Sequence, residues 1–546
     1  MKKTLALALA ATLAVSAAAP AQAASLVDFN GYYRAYYLSD TNLGRRADSF
    51  TDSYFGHRLN MDVTFSPTDE LSVYWRLRGP DFRRWGSEGN LDLSTYHIYG
   101  EIKQDWGTTL VGRLDEDLDV YGLATLGYLA ETNPIFTTVG PFEEAGVMDA
   151  VRFTREWDSG WYFMAQYGKI SNNSSDSDLP DNRHSDQDFD RYQVEGAYRW
   201  DGGGVSLGMW YDRDATIFDA DDPGADKFTG FYLNPAFMQS WGDFSVHFEG
   251  LAGWGQEKYV GREPDQDAKG YAFYLDADYN YGDGNVTLAG WWVSGSGFNE
   301  SDSKSLVGLG GNFFPLIVAY NANSSGFGRV DTVGYTDPEN GNAIYLANTA
   351  YENYIHVGYQ HTPGYLNTGG RIGISTAAEG LLANPAFAGR SRTDQHSFNN
   401  ETEANHWALA LSGNHALTDD ISLHYALAYL ALNKPNYRVA NSWSGLYDAG
   451  TAAEGTIRNG GGVSYLDQDK DLGFEIDLGF SFQLLDNLEF TTAFGYMFTG
   501  DAYKTLRGYN QTGGGADGAN TYTDGKAVWE DGKDTYTWYN TLTFNF

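Results

Sequence analysis

Cysteine is absent from the 546-residue chain, so neither disulfides nor thiolate metal sites contribute to its stability. An exported protein of this size without disulfides must rely on hydrogen-bonded architecture or on burial. Basic residues are scarce as well: 36 Lys and Arg stand against 72 Asp and Glu, a net charge of −36. Such a chain would repel phosphate backbones, which excludes nucleic acid as a partner. The same acidity suits a surface that gathers cations. Long hydrophobic runs are missing too. The longest, Leu5 to about Ala19, is shorter than the ~20 residues of a spanning helix. An inner-membrane helical protein is therefore excluded.

That apolar stretch follows Lys2 and Lys3 and precedes Ala21-Gln22-Ala23. A basic start, an apolar middle and a small-x-small site make a secretory signal. Residues 1–23 are expected to be removed, with the mature chain beginning near Ala24 and more negative by the two lost lysines. No composition shift marks a linker, so residues 24–546 are expected to form one large domain.

Alternation is what the chain has in abundance. Leu472, Phe474, Ile476, Leu478, Phe480 and Phe482 fall on one face of an extended segment, and Gly473, Glu475, Asp477, Gly479, Ser481 and Gln483 fall on the other. Successive strand side chains point to opposite faces, so this is the pattern of a strand between lipid and water. A helix would smear the same charges around every side. His57 to Phe65, Tyr271 to Tyr279 and Leu488 to Phe498 repeat the pattern, each near the ~9–11 residues a tilted strand needs to cross a bilayer. Tight turns such as Ser66-Pro67-Thr68-Asp69, Asp201-Gly202-Gly203-Gly204 and Gly282-Asp283-Gly284-Asn285 alternate with long polar segments such as Ser171 to Asp188. Tryptophans including Trp157, Trp161, Trp200, Trp241, Trp254 and Trp538 sit toward strand ends, as interfacial girdles do. The expectation is all-β: a transmembrane antiparallel β-barrel of about 16–20 strands, centred on 18, with the even count required of a single bacterial barrel.

Two stretches carry a family resemblance. Tyr536, Trp538, Leu542, Phe544 and the terminal Phe546 alternate with polar residues, which resembles the last strand of Gram-negative outer-membrane proteins. Trp106-Gly107-Thr108-Thr109-Leu110-Val111-Gly112-Arg113 resembles the strand that precedes the inward-folded third loop of general diffusion porins. The segment from about 114 to 145 follows it, acidic at its start yet rich in apolar side chains, which need somewhere dry to pack. The resemblance implies an inward-folded third loop whose Asp115, Glu116, Asp117 and Asp119 form the acidic face of a constriction. Parity sends Arg34, Arg58, Arg76 and Arg78 inward as the basic wall, with Arg113 included although its face is ambiguous. Opposed charges at such a constriction tune selectivity. The resemblance further implies an outer-membrane homotrimer among lipid and lipopolysaccharide, passing small hydrophilic solutes and ions, with no cofactor and no metal. Arg and Asp are expected in any barrel lumen, so simple salt bridging remains an open alternative for these residues.

Other readings stand beside this one. Tyr32, Tyr36, Tyr74, Tyr99, Tyr274 and Trp291 have the inward parity that would let a selective channel stack sugars. A barrel-embedded enzyme is a remoter alternative, because no Ser-His-Asp set can be assembled from the sequence. Strand patterning begins near Val27, which is expected to leave no room for a plug or passenger domain. Acidic loop clusters lack the spacing of an EF-hand and read as solvated charge or weak cation sites.

Overall fold

The computed structural model describes residues 27–41, 52–84, 93–115, 147–172, 188–215, 225–259, 266–294, 316, 333–336, 343–346, 406–433, 438–441, 457–460, 463–466, 470–501, 505–514, 520–530 and 534–546. The expected signal, residues 1–23, and most of the expected constriction segment lie outside these residues.

Eighteen strands form one sheet, and every neighbouring pair is antiparallel. They are numbered here around the wall. The first half is β1 (Val27–Thr41), β2 (Asp52–Thr68), β3 (Leu71–Arg84), β4 (Ser94–Gln104), β5 (Gly107–Asp115), β6 (Val147–Glu156), β7 (Trp161–Asn172), β8 (Asp188–Trp200) and β9 (Gly203–Asp214). The second half is β10 (Ala225–Trp241), β11 (Phe244–Tyr259), β12 (Gln266–Tyr281), β13 (Gly284–Val293), β14 (His406–Thr418), β15 (Ile421–Leu432), β16 (Asp471–Leu485), β17 (Leu488–Thr499) and β18 (Thr535–Asn545). Each strand pairs with the next, and β18 pairs back onto β1 from Tyr32↔Asn545 to Thr41↔Tyr536. The sheet is therefore a closed barrel without an edge strand, so the ladder offers backbone partners all the way round the wall. Phe546 completes the seam, exchanging both backbone hydrogen bonds with Gly31 at 3.0 Å. Two small sheets, one of four strands and one of three, are built from residues outside the wall, such as 333–336 and 463–466.

Turn chemistry explains the short connections. Gly202, Gly242 and Gly282 have φ of 77°, 63° and 52°, the left-handed conformations that tight hairpins demand and glycine accepts without strain. The faces follow from parity. Phe29, Val73, Leu275, Leu288, Leu409 and Leu478 stand exposed on the outside, while Arg34, Asn60, Asp276 and Glu475 are buried on the inside. Exposed apolar and buried polar side chains invert the rule for soluble proteins and match a wall that faces lipid. Trp157, Trp161, Trp241, Trp254 and Trp538 are exposed on that outer face; Trp200 turns its Nε1 to Gln239 at 2.7 Å.

The expected apolar face Leu472–Phe482 fails at its first residue. Leu472 is buried, whereas Phe474, Ile476 and Leu478 are exposed. The cause is a bulge: the β15–β16 register shifts between Leu430 and Ala431, and Gly473 adopts φ 119°. One extra residue reverses the phase of everything before it.

Candidate functional site

The lumen side of the wall carries the chemistry. Arg34 on β1 and Arg58 on β2 are direct cross-strand partners, and Arg78 on β3 partners Asn60 one step along β2. All three side chains are buried on the inner side, Arg58 to 1% exposure. Arg34 Nε donates to Thr543 Oγ1 at 3.1 Å, and its guanidinium lies 4.9 Å from the Tyr32 ring centroid. Arg78 Nε donates to Asn60 Oδ1 at 3.1 Å, with its guanidinium 3.5 Å from the Tyr96 centroid. Arg34 and Arg58 thus place two positive charges side by side on the inner wall.

Arg76 has a different situation. Its Nε and a terminal nitrogen donate to the two Asp62 oxygens at 2.7 and 2.9 Å, a bidentate pair that offsets its charge. Arg113 departs from the expected basic wall. It is exposed beside Val111 and registers with outward-facing Ile98, because Leu114 takes the inward phase of β5. Leu114, Met148 and Ala150 form an apolar cluster on the inner side where the chain leaves β5 and returns in β6. Asp115 ends β5, its backbone registered with Val147. Glu116, Asp117 and Asp119 lie outside the described residues.

Acidic side chains occupy the inner face elsewhere. Glu195 on β8, Asp212 on β9, Glu249 on β11, Asp276 on β12, and Glu475 and Asp477 on β16 are all buried there. Glu475 and Asp477 stand on the polar face expected of their strand, whereas Glu195, Asp212, Glu249 and Asp276 were not among the expected site residues. Parity within each strand was the signal that would have found them. In a ring of 18 strands, β2 and β11 are half a circuit apart, so the arginine strands face the strands of Glu249 and Asp276 across the lumen. Between these poles, Arg191 and Asp212 form a fully buried bidentate pair at 2.7 and 2.8 Å.

Of the tyrosines and tryptophan expected inside, Tyr36, Tyr274 and Trp291 are buried there, Tyr32 accepts from Asn60 Nδ2 at 2.8 Å, and Tyr74 stacks on Tyr99 with centroids 5.0 Å apart. An unforeseen pair, Trp210 and Tyr232, stacks at 5.2 Å and 13° on the same side.

One polar chain touches the enzymatic alternative. His424 hydrogen bonds Asn414 Oδ1 through Nδ1 and Ser481 Oγ through Nε2, the latter at 3.1 Å. Ser481 sits in an unbroken ladder between Ser422 and Thr491. Its backbone is committed to the wall instead of being offered to a developing oxyanion. Among the described residues no three His, Asp or Glu are grouped so as to hold a metal ion.

No family model matches the chain, and no curated protein matches it. Solved structures that resemble it include in-vitro folded OmpT, an outer membrane protein of Vibrio cholerae, at 12% identity and a TM-score of 0.36 over 97% of this chain and 100% of that one. Pseudomonas aeruginosa OccK2 (OpdF) in complex with glucuronate aligns at 9% identity and 0.45 over 95% and 98%. An anion-selective porin from Comamonas acidovorans aligns at 11% and 0.40 over 95% and 99%. The closed 18-stranded ladder itself establishes the fold: an all-β, antiparallel transmembrane barrel of the kind outer-membrane porins adopt.

Proposed function

We propose that this chain is an outer-membrane porin, a passive channel for small hydrophilic solutes and ions. The apposition of Arg34 with Arg58 on the lumen side of a closed barrel, facing acidic strands across the ring, carries this reading. A transverse field at a constriction orders water and disfavours apolar solutes, while charged rings set ion preference. Arg34, Arg58 and Arg78 supply the positive pole, and Arg76 is a lesser contributor because of Asp62. The negative pole combines Glu249 and Asp276 on the wall with Asp115, Glu116, Asp117 and Asp119 at the start of the inward-folded third loop. A cleaved signal delivers the chain to the outer membrane, where lipid and lipopolysaccharide surround a homotrimer. No chemical reaction is assigned.

Single-channel recording of the purified protein in a planar bilayer tests this reading. Large ohmic steps that maltodextrins leave unblocked are the expected result. No conductance at all would overturn it. Small steps interrupted by a sugar would move the assignment to a substrate-selective channel, a second reading favoured by the lumen-side Trp210–Tyr232 stack and by the near-complete burial of the inner charges.

A further inference from the structure

The strands opposite the arginines hold a cluster that simple charge balancing does not explain. Glu249 on β11 registers with Tyr274 on β12, and His247 registers with Asp276. Tyr274 in turn registers with Trp291 on β13, and Asp278 with Thr287. His247 Nδ1 lies 3.3 Å from Asp276 Oδ2, and Thr287 donates to Asp278. Three carboxylates thus share one inner patch with two buried aromatic rings. Among the described inward-facing residues of β10–β13 there is no lysine or arginine.

Asn234 supplies an independent observation. Its Nδ2 donates to Glu249 Oε1 and to the backbone oxygen of Gly250, both at 2.8 Å. These two bonds fix the amide, and its Oδ1 is left without a hydrogen-bond partner in a side chain only 1% exposed. A buried acceptor held beside a carboxylate, with no donor of its own, is a position for a ligand N–H. Exposure rises along β12 from buried Asp276 through half-buried Asp278 to exposed Asn280, so the patch opens toward the short-turn mouth of the barrel.

We propose that Glu249, Asp276, Asp278 and Asn234 Oδ1, flanked by Tyr274 and Trp291, form a binding subsite for solutes carrying a protonated amine. Carboxylates supply charge, the amide oxygen accepts an ammonium hydrogen, and the ring faces attract an organic cation. The carboxylates are not grouped as metal ligands, which favours a cation with several separated donors over a coordinated ion. The inference rests on the channel reading and assigns the solute class that its acidic pole retains.

The test is single-channel recording of the full-length barrel in KCl, with spermidine as probe and 1,4-butanediol as the uncharged control. Spermidine is expected to interrupt the current in a concentration-dependent way, and butanediol to leave it unchanged. In D276N/D278N the blocking concentration should rise about tenfold or more, read against that variant's own open-channel step. Should that double variant not insert, D278N alone carries the same comparison at a half-buried position. Equal block in wild type and variants, or no block in a conducting wild type, overturns the subsite while leaving the pore standing. Absence of any conductance overturns the pore reading itself.

Discussion

At the scale of single residues, charge placement on the lumen wall decides what the protein can pass. Arg58 faces Arg34 across one strand pair, so each raises the local potential that draws anions. Replacing Arg58 with Gln is expected to move the reversal potential in a KCl gradient toward cation preference without abolishing conductance; an unchanged potential would remove Arg58 from the ion path. Arg191 and Asp212 behave differently, because the pair is bidentate and out of contact with solvent. Arg191→Met alone leaves a buried carboxylate uncompensated and should cost about 3–5 kcal/mol. Arg191→Met with Asp212→Leu should recover most of that loss. Urea unfolding of the three variants in detergent reads the cycle, and additive losses would contradict the pairing.

At the scale of elements, the wall is regular except where a residue cannot supply a ladder bond or changes phase. Pro235 in β10 has no N–H, and the β10–β11 register lacks partners for Asn234 and Pro235. Gly250, which stands opposite Pro235, accepts from the Asn234 side chain instead. Asn234→Ala should therefore cost about 1–3 kcal/mol by stranding that carbonyl, and Pro235→Ala in the same chain should restore part of it in urea unfolding. Gly473 is the other irregularity: a Cβ there would lie 2.0 Å from the Phe498 carbonyl oxygen, at φ 119°. Gly473→Ala should destabilise the barrel by about 1–3 kcal/mol, measured the same way. The turns and strands themselves were legible in the sequence because period-two alternation and Asp-Gly turns are local signals. Leu472 was misassigned because a bulge shifts phase, and nothing in its own alternation announces the shift.

At the scale of the whole molecule, closure is the stabilising event. The β1–β18 seam removes the last two strand edges, and Phe546 with Gly31 ends it. Deleting residues 535–546 would leave one edge each of β17 and β1 unpaired in a membrane that offers no hydrogen bonds. Such a chain is expected to lose the heat-dependent shift in gel migration that folded barrels show and to become fully sensitive to protease. Retention of both properties would mean the seam is dispensable. Closure also creates the site, since β2 and β11 oppose each other only in a ring of this size.

The sequence by itself determined the class of structure. Alternation, turn composition and the absence of helical spans led to an antiparallel barrel centred on the observed 18 strands. Parity turns Arg34, Arg58 and Arg78 away from the lipid face, and all three are buried, because a side chain's face depends only on its neighbours along the strand. Tertiary structure decided what parity cannot reach. It joined Arg76 to Asp62, and it set Glu249 and Asp276 across from the arginines. Those relations depend on register between strands and on the number of strands in the ring, and neither quantity is encoded in any one segment.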